Sequence, residues 1–183
     1  LQAWRAGAGA IHSAFFGLGE GSGLVPSELL LVNLKLYGAL KRDLTGLRAA
    51  SEALAALTAT EVHPNAPVIG GDAFRTGTGV HAAAIVKAHK KGHDWLADLI
   101  YSGIPACQFG YRQIIEVGPM AGASNVQFWL RSNGYPVDEQ LVGRILAQAK
   151  SSDRVLSDNE LHQLVGPTTP SEAEPGVARQ NHG

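Results

Sequence analysis

Two short stretches carry the residues best suited to chemistry. The first, FRTGTGVHAAAIVKA from Phe74 to Ala88, sets His81 just after a Gly/Thr run and at the start of a helical pattern. An imidazole there can hold or give up a proton near neutral pH. The alternative is an exposed helix-start histidine. The second, GLGEGSGLVP from Gly17 to Pro26, is a glycine-rich turn with one carboxylate, Glu20, inside it. Glycines in such a loop let backbone N–H groups approach a bound molecule closely. On spacing alone a structural turn is equally open. Gly17, Gly19 and Ser22 miss the last glycine of a dinucleotide loop, and no lysine of a phosphate loop is present.

These residues need elements to hold them. Ala10–Phe16 is a short apolar run that reads as a parallel strand buried on both faces. It delivers the glycine loop at its C-terminal end, where barrel enzymes place their chemistry. Pro26 suits the first turn of the helix that follows, Ser27–Tyr37, which is apolar enough to be packed on both sides. A second helix is expected over Leu44–Leu57, with Leu47, Ala50, Leu54 and Leu57 on one stripe. Leu1–Gly9 reads as the late part of an amphipathic helix, so the chain is expected to begin inside a domain. Strand, loop and helix make half of a βαβ unit.

Beyond Thr60 the pattern changes. Val62–Gly71, with two prolines, reads as extended. Helices are expected over Gly79–Lys90, Asp94–Tyr101, Ser124–Asn133, Asp138–Ser151 and Ser157–Val165. Asp138 and Ser157 are their caps for the last two, and Glu160 completes a capping box. Ile114–Val117 reads as a short strand or extended piece. Residues 166–183 hold three prolines and no aromatic residue, a composition that predicts disorder.

The 183 residues suffice for one core or a core with a small appendage. A hydrophobic share of 45% against 17% charged residues fits a globular protein. A net charge of −1 gives no pull toward nucleic acid or an anionic membrane. No apolar run approaches the roughly 20 residues of a membrane helix. The single cysteine, Cys107, excludes an internal disulfide and suits a cytoplasmic setting. His12, His63 and His162 lack ligand spacing. The cluster His89, Lys90, Lys91 and His93 reads as a solvated helix end, with an acyl-CoA phosphate contact as the alternative. Trp95 and Trp129 are expected to anchor helix packing.

Taken as an ordered set, the motifs from Gly7 to Arg154 resemble the 2-isopropylmalate synthase and homocitrate synthase family, metal-dependent enzymes of the DRE-TIM group. The family carries a pattern like GxGERxGN. Gly17, Gly19, Glu20, Gly23 and Pro26 fall on it and its environs, while Gly21 replaces the arginine. Leu24 stands where the family has a metal-ligating asparagine, and leucine has no lone pair to offer. Ala14 replaces a family threonine. A later family pattern, F-x-x-x-x-G-[IV]-H, is met by Phe74, Gly79, Val80 and His81. Ala83 replaces an acidic residue two positions on. Tyr101 opens a ten-residue stretch that matches one beginning with tyrosine in the family, and VGPMAG (Val117–Gly122) stands for LGKHSG.

The resemblance implies an α/β fold: the C-terminal part of a TIM (β/α)8 barrel over 1–60, a linker arm over 61–105, a small helical subdomain over 106–165, and a tail. It implies an acyltransferase that joins acetyl-CoA to a 2-oxo acid by Claisen condensation, then hydrolyses the thioester. His81 and Tyr101 would serve the acetyl-CoA side as catalytic residues, and a phenol can donate to an enolate oxygen. Glu20 would shape the metal loop, and Gly19, Gly23 and Thr78 would contact substrate. A divalent metal (Mg, Mn or Zn) is implied for the family, weakened or absent here because of Leu24. A cytoplasmic homodimer with exchanged arms is also implied, so His81 would act in trans. The chain alone is expected to be inactive as a fragment. Two alternatives stay open: an inactive relative that keeps the fold, and a superfamily lyase. The His81 arm argues against the lyase, since the short lyases generally lack such an appendage.

Overall fold

A computed structural model of the chain describes residues 1–166. The tail expected to be disordered lies, from 167 on, outside the described residues. The rest forms two compact units: Leu1–Phe74 with Ile104–Arg112, and Arg75–Gly103 with the chain from Gln113 onward. Both mix helix with short parallel strands. Among the described residues no helix is long and apolar enough to cross a membrane.

The first unit opens with α1 (Gln2–Arg5), which buries nothing. The helix expected over Leu1–Gly9 is cut short because Gly7 turns to a φ of 94°. β1 (Ser13–Ala14) pairs in parallel with β2 (Val25–Pro26), Ser13 opposite Val25 and Ala14 opposite Pro26. The strand expected over Ala10–Phe16 is therefore far shorter and only half-buried. Pro26 has no N–H to extend the ladder. Phe16 adopts a φ of 59°, which ends the extended run.

α2 (Ser27–Leu36) buries only Glu28 and Val32. The expectation that it packs on both sides fails, since Leu36 is exposed. α3 (Leu47–Thr58) starts at Leu47 rather than Leu44. Thr45 holds the chain in a turn there, donating its N–H to Asp43 Oδ1 at 3.0 Å and its hydroxyl to Oδ2 at 2.9 Å. α3 turns Leu47 and Ser51 inward, whereas Leu57, expected on the apolar stripe, is 82% exposed. The segment 62–71 is a run of tight turns rather than extended. Ala66 N–H donates to the His63 carbonyl and Gly70 N–H to that of Ala66. Its two prolines preset such turns. Val32, Leu44, Leu47, Val68, Phe74, Ala106 and Phe109 form the core.

In the second unit β3 (Arg75–Thr76) pairs in parallel with β4 (Ile114–Ile115). Five helices follow the expected order: α4 (Gly79–Lys90), α5 (Asp94–Ala97), α6 (Ala123–Ser132), α7 (Glu139–Ser151) and α8 (Asp158–Val165). α5 is half the expected length, because Leu99 N–H bonds back to Leu96 and the chain tightens into turns. Trp95, expected to anchor helix packing, is 68% exposed and lies outside the buried clusters. Trp129, by contrast, is buried and donates its indole N–H to Asp158 at 2.8 Å.

The caps agree with the sequence. Asp138 accepts from the N–H groups of Gln140 and Leu141, and Ser157 with Glu160 forms a capping box. α6, α7 and α8 enclose a core of Val126, Trp129, Leu130, Leu141, Ile145 and Leu161. A second cluster packs Ala82, Ile85 and Val86 of α4 against Ala97 and Ile115.

Candidate functional site

The glycine loop in the first unit closes on itself. Leu24 N–H donates to the Gly17 carbonyl at 2.9 Å, and Gly23 N–H to that of Glu20 at 3.1 Å. Gly23 has a φ of 82°, and a Cβ there would collide with the Gly17 carbonyl oxygen, so only glycine closes this loop. Glu20 and Gly19 are exposed. At the loop's entry, Phe16 N–H donates to Oε2 of Glu28 at 3.1 Å. Glu28, in the first turn of α2, is 3% exposed. It braces the residue whose positive φ starts the loop.

Leu24 points its side chain outward, 47% exposed. Among the described residues no three His, Cys, Asp or Glu side chains group so as to hold a metal ion. The described residues of the glycine loop therefore do not by themselves supply a divalent-metal site. Its one carboxylate, Glu20, has no partner ligand, and hard cations need several oxygens.

His81 lies in the first turn of α4, after Thr78 at the N-cap position. The structure stacks it on Tyr101: ring centroids are 4.0 Å apart and the planes differ by 24°. Both residues are exposed. Among the described residues neither the His81 imidazole nitrogens nor the Tyr101 hydroxyl has a hydrogen-bond partner. Sequence separation gave no sign of this contact. Thr78 is half-buried, and its carbonyl accepts from Ala82 N–H at 3.0 Å. His81, Tyr101 and Thr78 thus share one unit, while Glu20, Gly19, Gly23 and Leu24 share the other.

Two side-chain amides, not singled out from the sequence, hold the surroundings of the ring pair. Asn125 is fully buried. Its Nδ2 donates to the carbonyls of Gly77 at 3.2 Å and Glu116 at 2.8 Å, and its Oδ1 accepts from Gly122 N–H at 3.0 Å. Gln113 Nε2 donates to the Asp98 carbonyl at 2.9 Å and to Ser102 Oγ at 2.7 Å. Neither position stands out locally: Asn125 sits among other polar residues in SNVQFWL, and Gln113 follows Arg112 just before Ile114. Of the other histidines, His89 pairs with Asp94 at 2.8 Å and stacks on Phe128, a helix-end arrangement. His162 meets Tyr135 Oη at 2.8 Å. His63 Nδ1 accepts from Asn65 N–H. His12 is exposed.

No family model matches the chain. Curated relatives do. It is 30% identical over 147 residues to a homocitrate synthase of Pyrococcus horikoshii, covering 80% of this chain and 38% of that protein. It is 31% identical over 156 residues to a Methanopyrus kandleri protein assigned as (R)-citramalate synthase CimA, covering 82% and 28%. A protein of the same organism assigned as 2-isopropylmalate synthase is 28% identical over 152 residues, covering 82% and 29%. The chain belongs to the DRE-TIM family of homocitrate, citramalate and 2-isopropylmalate synthases. It spans about two fifths of the length of the first of these relatives.

Proposed function

We propose that this chain serves the acetyl-CoA half of an acetyl-CoA-dependent 2-oxo acid condensing synthase. The observation that supports this best is the exposed, stacked pair of His81 and Tyr101, two groups suited to moving and stabilising a proton. In the reaction the acetyl methyl loses a proton, and the resulting enolate carbon bonds to the keto carbon of the 2-oxo acid. The thioester is then hydrolysed, releasing the CoA thiol. A ring nitrogen of His81 exchanges the proton at the acetyl group. Tyr101 Oη donates a hydrogen bond to the enolate oxygen, where charge develops.

Around this pair we read the first unit as the C-terminal part of a TIM barrel, up to about residue 60. The strand–loop–helix order of β1, the glycine loop and α2 supports it. The segment 61–105 is then an arm and 106–165 a helical subdomain. Glu20, Gly19 and Gly23 shape the substrate loop, and Thr78 borders the acetyl-CoA site. The working enzyme is a cytoplasmic homodimer whose arms cross to the neighbouring barrel. When bound, a divalent metal supplies the polarisation of the keto group. The glycine loop of this chain does not by itself complete the site of that metal.

The 2-oxo acid is a class. The relatives' names cover three products, of which 2-isopropylmalate, and with it leucine building, is one. The test is thiol release from acetyl-CoA against a panel of 2-oxo acids, using a protein of the relatives' full length and, separately, the chain alone. The full-length protein should turn over one 2-oxo acid in a metal-dependent way, and the chain alone should show background. A second reading, an inactive relative, is favoured by Leu24 and Ala14. It wins if the full-length protein is folded but inert with every 2-oxo acid.

A further inference from the structure

The His81–Tyr101 contact joins two pieces of chain that have no backbone hydrogen bonding in common: the first turn of α4 and the turn that follows α5. Each is held by one amide, and the two amides bracket β4. Gln113 precedes Ile114 and grips the Tyr101 turn on both sides of that residue, at the Asp98 carbonyl and at Ser102 Oγ. Asn125 grips the Glu116 carbonyl just past Ile115 and, through the same nitrogen, the Gly77 carbonyl in the loop that leads to His81. Its oxygen takes the Gly122 N–H, so both N–H donors and one acceptor lone pair of the amide are used.

The loop it holds has little room to shift. Gly79 N–H donates to the Met120 carbonyl at 2.9 Å, and a Cβ on Gly79 would stand 2.7 Å from Gly122 N and 2.9 Å from its Cα. Such close backbone approach holds the start of α4, and with it the His81 backbone, against the Gly122 turn. β3 and β4 close the frame from the other side, with Glu116 N–H donating to the Thr76 carbonyl at 3.0 Å.

We propose that Gln113 and Asn125 are positioning residues that register the His81 ring against the Tyr101 ring through β4. The geometric claim stands on these bonds alone; its catalytic consequence rests on the acetyl-CoA reading above. Both act by fixing where the proton-handling rings sit, and a displacement of about 1 Å at such a site can cost up to about 100-fold in rate.

The test separates the two claims. In the 183-residue chain, the His81 ring protons should show an upfield displacement from the Tyr101 ring by NMR, absent in Tyr101→Ala. Gln113→Ala should remove that displacement while the hydrogen-bonded Trp129 indole signal stays in place, showing that the α6–α8 core is folded. Gln113→Glu, which keeps the length but loses the donor when ionised, should do the same. Asn125→Ala is the second variant, read only if the indole signal persists. In a protein of the relatives' length, Gln113→Ala should lower kcat by up to about 100-fold with the KM for the 2-oxo acid unchanged. An unchanged ring displacement in both Gln113 variants overturns the proposal. Loss of the displacement with no change in kcat leaves the registering role and overturns the acetyl-CoA reading instead.

Discussion

Tyr101 covers the face of the His81 imidazole at a centroid separation of 4.0 Å, although His81 lies in α4 and Tyr101 in the turn after α5. Stacking leaves the edges of both rings open, and the edges carry the nitrogens and the hydroxyl. That is the arrangement needed if one group moves a proton while the other stabilises the oxygen beside it.

Tyr101→Phe separates the two contributions. Phenylalanine keeps the stack and removes only the donor. In a protein of the relatives' length, kcat should fall by about 10²–10³-fold, the scale of one lost enolate-oxygen donor, with the 2-oxo acid KM unchanged. Steady-state kinetics over both substrates reads this out. An equal loss in Tyr101→Phe and Tyr101→Ala is expected if the hydroxyl matters most, and no loss in Tyr101→Phe makes the tyrosine a packing residue.

Leu24 is open to a gain-of-function test. Its side chain is exposed on a loop whose glycines already bring the backbone close. Leu24→Asn adds one oxygen ligand, and a divalent cation that keeps several waters should be held more tightly for it. Calorimetric titration of magnesium or manganese into both full-length forms measures the difference. Equal affinity means that position 24 does not face the metal.

The sequence was most legible where local chemistry decides. Asp138, Ser157 and Glu160 announced two helix starts, because caps act over three residues. It was least legible where distant packing decides. The strand at Ala10–Phe16 looked continuous, but Phe16 is turned by Glu28, twelve residues on. Leu57 looked like core by spacing, yet the α3 face that packs is set by Leu47 and Ser51. At the candidate site, His81 and Tyr101 were each visible by type and by family pattern. Their contact, and the amides of Gln113 and Asn125 that hold it, depend on a β3–β4 pairing that no periodicity signalled.

Acid should weaken the start of α8. Arg154 donates to both carboxylate oxygens of Glu160, at 2.7 and 2.9 Å, and Ser157 donates its N–H and hydroxyl. These bonds, the Arg154 ones first, lower the carboxyl from 4.5 to about 2. A carboxylate lowered by folding stabilises the fold above its unfolded value and loses that contribution as pH drops toward 2. Glu160→Gln should therefore unfold at lower urea than the parent chain near neutral pH. The two midpoints should converge below pH 4.5 and coincide near 2. A constant gap across that range contradicts the assignment.

Alkali should act on Tyr111. Burial, with the Glu52 charge adding to it, raises the phenol from 10.0 to about 12. The neutral phenol is favoured in the fold, so its contribution is full below 10.0 and is lost as pH rises through 12. Phenolate absorbance should show one of the four tyrosines ionising late. Tyr111→Phe should delete that step. Simultaneous ionisation of all four is the contrary result.

The central claim is that His81 moves a proton at the acetyl group. Its most direct measurement is the thiol-release rate of His81→Ala in a protein of the relatives' length, followed against acetyl-CoA and the 2-oxo acid it accepts. General acid–base groups contribute about 10²–10⁴-fold, so kcat should fall by that factor while the KM for the 2-oxo acid stays where it was. An unchanged kcat would contradict the account and return His81 to an exposed residue at the start of a helix.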